Sequence, residues 1–283
     1  MRVRHTTEYI FSKVVGIAPH ELRLRPAAHC RTPISAYELR ATPDHHYVHW
    51  MQDAFGNYLA RFTFTAASDL LKFDVELVAD IKEINPFDFF VENSAAEFPF
   101  RYNKQLQRDL AYCLDVVEPG DEIDAWVNAH GKGQKPTIEF LVDLNRAMRA
   151  DIDYVIRLEP GIQNCAQTLK HRSGSCRDSA WLLIQVLRRL GLAARFVSGY
   201  LVELASDSAT DTTESAANLH AWAEVYLPGA GWVGLDPTSG MLAGSHHIPL
   251  AVAPWPDSAA PVMGATEPCD VKFRYSSSAV SIS

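Results

Sequence analysis

Hydrophobic residues recur at every second position over roughly the first eighty residues, and at every third or fourth beyond about Leu106. A period of two is that of a strand with one buried face, and a period near 3.6 is that of an amphipathic helix. Strands are therefore expected at 2–11, 21–25, 37–40, 45–51, 58–65 and 71–81, with a turn at Gly56-Asn57. Short strands at this spacing predict a small antiparallel sandwich. A Phe-rich stretch at 85–101 reads as a linker. Helices are expected over 137–148, where Ile138, Leu141, Leu144 and Met148 share a face, over 164–171, and from 175 to 190, where Gly191 supplies a stop. Further strands follow at 194–203, 220–227, 232–235 and 271–275. The fold class is α+β, divided into a β-domain at 1–95 and an α+β domain at 96–283 with a C-terminal extension.

Charge narrows the function. With 26 basic and 34 acidic residues the net charge is −8, a field that repels nucleic acid and anionic membranes. The first residues lack the apolar core of a secretory signal, and no apolar run approaches the length of a membrane span. The five cysteines (Cys30, Cys113, Cys165, Cys176 and Cys269) are odd in number and scattered, which predicts a reducing compartment, the cytosol.

One of those cysteines stands apart. Ser175 and Asp178 fit a capping box that opens a helix and puts Cys176 at its first position. Free backbone amides and the macrodipole there favour an anionic sulfur and can hold an oxyanion. Gly174 leaves room for close approach. A thiolate also needs a base and an orienter. In the strand from His220 to Tyr226, His220, Trp222 and Glu224 share one face; a turn at Pro228–Gly231 then returns the chain through Trp232 to Asp236. A hairpin of that length can bring Asp236 beside His220, where a carboxylate fixes the imidazole.

Three blocks, Gly174-Ser175-Cys176-Arg177-Asp178, His220-Ala221-Trp222-Ala223-Glu224-Val225-Tyr226 and Gly231-Trp232-Val233-Gly234-Leu235-Asp236-Pro237-Thr238, closely resemble the motifs of the transglutaminase-like superfamily. The strand Arg195-Phe196-Val197-Ser198-Gly199-Tyr200 is similar to the one that follows the nucleophile helix there. His5-Thr6-Thr7-Glu8-Tyr9, the segment from Pro19 to Pro26, and Asp53-Ala54-Phe55-Gly56-Asn57 resemble the N-terminal β-domain of bacterial transglutaminase-like proteins. The resemblance implies a papain-like core, an acyl-enzyme mechanism, catalytic roles for Cys176, His220 and Asp236, and a cysteine protease or amidase acting on a peptide, protein or small amide. It implies no cofactor. A Gly-Arg-Asp segment common in such tails is replaced here by Ala253-Pro254-Trp255-Pro256-Asp257, although His247-Ile248 before it is present.

Other readings stand beside this one. Trp222 and Tyr200 are candidate substrate-binding residues, with core aromatics as the alternative. Gln163 or Asn164 could supply a second oxyanion donor. Histidines 29, 45, 46, 49, 246 and 247 show no tetrad at zinc-ligand spacing, so no metal is expected. The Ser/Thr/Asp-rich segment 205–218 is expected to be a loop and a candidate lid. Transfer to an amine in place of water, and a non-catalytic binding module that keeps the fold, remain the rival functions.

Overall fold

In the computed structural model, residues 1–203 and 215–282 are described. The expected lid falls mostly outside them; its last residues, 216–218, already belong to a strand. In chain order the strands of the three main sheets are β1 (Arg2–Val15), β2 (His20–Leu22), β3 (Ile34–Thr42), β4 (His46–Gln52), β5 (Tyr58–Phe64), β6 (Ser68–Ala79), β7 (Ala194–Glu203), β8 (Ala216–Leu227), β9 (Gly231–Asp236), β10 (Met241–Leu242), β11 (His247–Ala253), β12 (Val262–Met263) and β13 (Val271–Val280). The helices are α1 (Lys104–Asp109), α2 (Ala111–Leu114), α3 (Asp121–His130), α4 (Thr137–Asp151), α5 (Cys165–His171) and α6 (Cys176–Arg189).

Alternation decides the N-terminal half. Along β6 the residues Leu71, Phe73, Val75, Leu77 and Ala79 are buried while their neighbours are not, so one face meets a second sheet and the other meets water. Two four-stranded sheets result, ordered β13-β1-β6-β3 and β12-β2-β5-β4. Each takes an outer strand from the far end of the chain. The division at residue 95 assigned these strands to an extension of the second half, whereas β13 pairs with β1 from Arg2↔Val280 to Phe11↔Val271 and β12 pairs with β2. The physical reason is edge pairing: β1 and β2 each have one side open, and only a distant segment supplies the missing backbone partners.

The second half is a five-stranded antiparallel sheet, ordered β10-β9-β8-β7-β11, packed against the helices. Ala194, Phe196, Ala221, Ala223, Val225 and Leu235 turn toward α6, whose Ala180 to Leu187 are buried on nearly every side. The helix lies inside although it is not apolar all round: Asp178, Gln185 and Arg188 are buried with it, and each polar group must then be answered. Arg188, at its C-terminal end, is buried and donates to the carbonyls of Asp115, Ala194 and Pro254, which satisfies a cation that apolar packing alone would leave stranded.

The two halves share a core. Tyr200, Val202, Ala217, Ile248 and Leu250 of the five-stranded sheet pack with Phe62, Phe73 and Leu77 of the sandwich. Polar ties reinforce the junction. Gly56, at φ 81°, makes the sharp turn that aims Asn57 at β11, where its side chain exchanges hydrogen bonds of 2.8 and 2.9 Å with the backbone of Val252. Arg23 steadies the same turn through a 2.9 Å ion pair with Asp53. Among the described residues, no helix is long and apolar enough to cross a membrane.

Candidate active site

The site begins at the head of α6. Ser175 is the N-cap and Cys176 the first helical residue. The Asp178 carboxylate reaches back to the Ser175 amide at 2.8 Å and accepts the Ser175 hydroxyl at 2.7 Å. A second anion two residues from Cys176 opposes a thiolate, so its charge must be cancelled. Arg157 does this with a two-pronged contact, Nε to Oδ2 at 3.1 Å and Nη2 to Oδ1 at 2.9 Å. Burial resists ionisation of Asp178, but Arg157 and the amides of Gln163 and Ser175 hold its carboxyl below the usual range. Gly174 answers to this packing: a Cβ there would stand 2.9 Å from the Asp178 Cβ. The glycine makes room for the cap, where the sequence suggested room for substrate.

His220 lies on β8 and Asp236 at the end of β9, as the hairpin spacing predicts. The imidazole Nε2–H donates to Asp236 Oδ2 at 3.1 Å, and Cys176 lies near enough to the ring to favour its charged form, with Nδ1 the nitrogen left to face the sulfur. Burial works against a charged ring; Asp236 and Cys176 together overcome it and raise the His220 pKa to about 10. Asp236 is fully buried, and its other oxygen accepts the Thr238 amide at 2.9 Å and the Thr238 hydroxyl at 2.7 Å. Burial opposes its ionisation as well, yet His220, His247 and Thr238 keep its carboxyl far below the ordinary range. Asn145 of α4 donates to the Asp236 carbonyl at 3.2 Å and to that of Met241 at 3.0 Å, which pins the turn after β9.

Neither aromatic singled out by sequence lines an open cleft. Tyr200 is 0% exposed, and its hydroxyl hydrogen-bonds His5 Nδ1 at 2.9 Å across the junction with the sandwich. Trp222 is 2% exposed. Its indole lies over Gly199 and Gly234, where a Cβ at 199 would come within 2.4 Å of the ring. It backs the imidazole of His220, which it stacks upon at 6.4 Å. Both are buried as the core-aromatic alternative expected, and alternation could not choose between the two because it gives a face but not what covers it.

An exposed aromatic near the head of α6 is Tyr154, in a two-residue strand that pairs Tyr154 with Gly174. It is 48% exposed, and burial together with the charges of Cys176 and Glu203 pushes its hydroxyl up. No sequence motif marks Tyr154; only its pairing brings it to the site. Of the two oxyanion candidates, Asn164 caps α5 and Gln163 leans on Asp178, so both have structural employment.

A second residue that sequence did not assign to the site, having weighed it only as a metal ligand, is His247, the first residue of β11, whose Nε2 lies 3.2 Å from Asp236 Oδ2. The ligand atoms of His220, Asp236 and His247 fall within 4.8 Å of one another, as in a metal cluster. The nitrogen roles argue otherwise. His247 Nδ1 accepts the Gly244 amide at 3.2 Å, so its proton sits on Nε2 and points at the carboxylate, as does that of His220. Neither nitrogen offers a lone pair there. A cavity of about 530 Å³ opens beside His247, lined by Leu201, Met241, Leu242, His246 and, from beyond the sandwich, Glu83 and Ile84.

Known proteins resemble this chain over most of its length. Residues 1–80 match the bacterial transglutaminase-like N-terminal region, and residues 124–237 match the transglutaminase-like superfamily core. An uncharacterized protein of Mycobacterium tuberculosis is 28% identical over 262 residues, covering 87% of this chain and 81% of its own. A second, from Mycobacterium leprae, is 25% identical over 273 residues, covering 93% and 92%. A protein-glutamine gamma-glutamyltransferase of Pseudomonas aeruginosa is 36% identical over 67 residues, 24% of this chain and 10% of that protein. The crystal structure of a candidate cysteine protease from Cytophaga hutchinsonii superposes with a TM-score of 0.64 at 15% identity, over 100% of this chain and 92% of that one, which shows the shared fold. The chain belongs to the transglutaminase-like superfamily and carries the N-terminal region of its bacterial members.

Proposed function

We propose that the protein is a cysteine-dependent acyl-transfer enzyme that cleaves an amide or peptide bond and passes the acyl group to water. The observation that carries this reading is the chain of contacts from sulfur to imidazole to carboxylate, with the sulfur at the head of a helix. Cys176 attacks the carbonyl carbon as a thiolate, and the oxyanion that forms is met by the free amides of α6. His220 gives its proton to the departing amine as the C–N bond breaks, which leaves a thioester. The neutral ring then takes a proton from water, the hydroxide attacks the thioester, and the acid leaves as the thiolate returns. Asp236 orients His220 and balances its positive charge throughout. The five cysteines are free, which suits a cytosolic location.

Transfer to an amine is the second reading, favoured by the local likeness to the glutamyltransferase of Pseudomonas aeruginosa. The two are separated by products. Wild type and Cys176→Ala are incubated with a panel of peptide amides, with and without a primary amine, and followed by mass spectrometry. Hydrolysis yields the acid whether or not amine is present; transfer yields a new amide only with it. Turnover by Cys176→Ala equal to that of wild type would overturn both.

A further inference from the structure

Asp236 serves two imidazoles. His220 approaches Oδ2 from β8 at 3.1 Å and His247 approaches the same oxygen from β11 at 3.2 Å. We propose that His247 is a positioning residue of this site: a neutral imidazole whose one N–H holds the Asp236 carboxylate in the orientation that His220 requires. The inference rests on the acyl-transfer reading above and adds a fourth side chain to it.

Three observations carry it. The protonation of His247 is set by its surroundings, because Nδ1 accepts the Gly244 amide and only Nε2 is left to donate. The ring is fixed in place, since Trp222 meets it edge-on at 5.1 Å and its side chain is only 10% exposed. The Asp236 carboxylate can turn about its own axis unless both oxygens are held, and Thr238 holds Oδ1 while His247 holds Oδ2. Without His247, Oδ2 has His220 as its single strong donor, with the Thr238 hydroxyl 3.4 Å from the same ring nitrogen as a competing acceptor. Among the described residues, other titratable groups that act on this carboxylate include His220, Cys176 through it, and Tyr154.

Two substitutions test the assignment. His247→Gln keeps an amide N–H near the position of Nε2, whereas His247→Leu keeps bulk and removes the donor. The readout is the rate of iodoacetamide alkylation of Cys176 from pH 5.5 to 9.5, which follows the thiolate paired with His220. His247→Leu is expected to label about tenfold more slowly than wild type at pH 6, as befits one hydrogen bond to a charged group, and equally fast at pH 9.5. His247→Gln is expected to stay within about threefold of wild type at both. Equal labelling of His247→Leu and wild type at pH 6 would overturn the assignment, as would equal impairment of the two variants. If wild type and His220→Ala label alike at every pH, the acyl-transfer reading itself fails and takes this assignment with it. Thermal melting of each variant separates loss of the fold from loss of orientation.

Discussion

At the residue scale, the proton of His220 sets the working range. Burial opposes its charge and its two partners restore it, so the ring's pKa rises from 6.5 to about 10. A raised value means that the imidazolium, and the stability it contributes, is fully present below pH 6.5 and lost as pH rises through about 10. Protonation of the leaving amine should fail over the same interval, so kcat is expected to fall on the alkaline side near pH 10. Without the imidazole the sulfur loses its partner. Alkylation of Cys176 is therefore expected to be slower in His220→Ala than in wild type at and below neutral pH. Equal rates for the two proteins would refute a partnership of sulfur and imidazole. The three residues of this chain of contacts were legible in the sequence because each sits in a local motif: a cap, an alternating strand, the end of a hairpin. His247 was not, because its link to Asp236 depends on β11 joining the sheet beside β7, which no spacing along the chain reveals.

At the scale of elements, α6 is the part on which the site depends, and its first turn is its weakest point. Three residues converge on Asp178: Ser175 with its amide and hydroxyl, Gln163 with its amide and side chain, and Arg157 with its guanidinium. Asp178→Ala leaves Arg157 without its partner and opens the cap, at an expected cost of about 3 kcal/mol in urea unfolding. Asp178→Asn, which keeps the shape and an acceptor, should cost about half as much. Equal stability of wild type and Asp178→Ala would show that the cap is ornamental. Sequence anticipated this box from Ser175 and Asp178, anticipated α4 from its apolar face, and placed a helix over α5. It could not settle the roles of Gly174, Trp222 and Tyr200, and for a shared reason. Each is a matter of which distant atoms fill a space: the Asp178 Cβ against Gly174, Gly199 and Gly234 beneath the indole, and His5 against the tyrosine hydroxyl.

For the whole molecule, the bond between His5 and Tyr200 couples the sandwich to the five-stranded sheet. Burial lowers the His5 pKa to about 4, against 6.5 in the unfolded chain. A lowered value has the opposite sign to that of His220. The unfolded state binds the extra proton between pH 6.5 and 4, so the stability His5 confers is complete above pH 6.5 and is lost as pH falls through about 4. In His5→Asn, which has nothing to protonate, the stability gap to wild type is expected to narrow by roughly 2 kcal/mol between pH 7.5 and 4.5. Denaturant titrations at the two pH values measure it, and a constant gap would mean that the ring is not held neutral. Most strands of the sandwich were visible in the sequence as alternating runs. Their partnership with residues near 262 and 271 was not, since alternation says which way a side chain points and nothing about which strand lies alongside.

That partnership sets a schedule for synthesis. β6 is complete at Ala79, but β13 does not begin until Val271, so the ribosome has about 190 further residues to add before the outer side of β1 is covered. At roughly 5–20 residues per second, that side waits uncovered for about 10–40 s. During this wait the newborn sheet carries a row of unanswered amides and carbonyls, open to any neighbouring nascent chain. The sheet that is first to emerge is thus among the last to close.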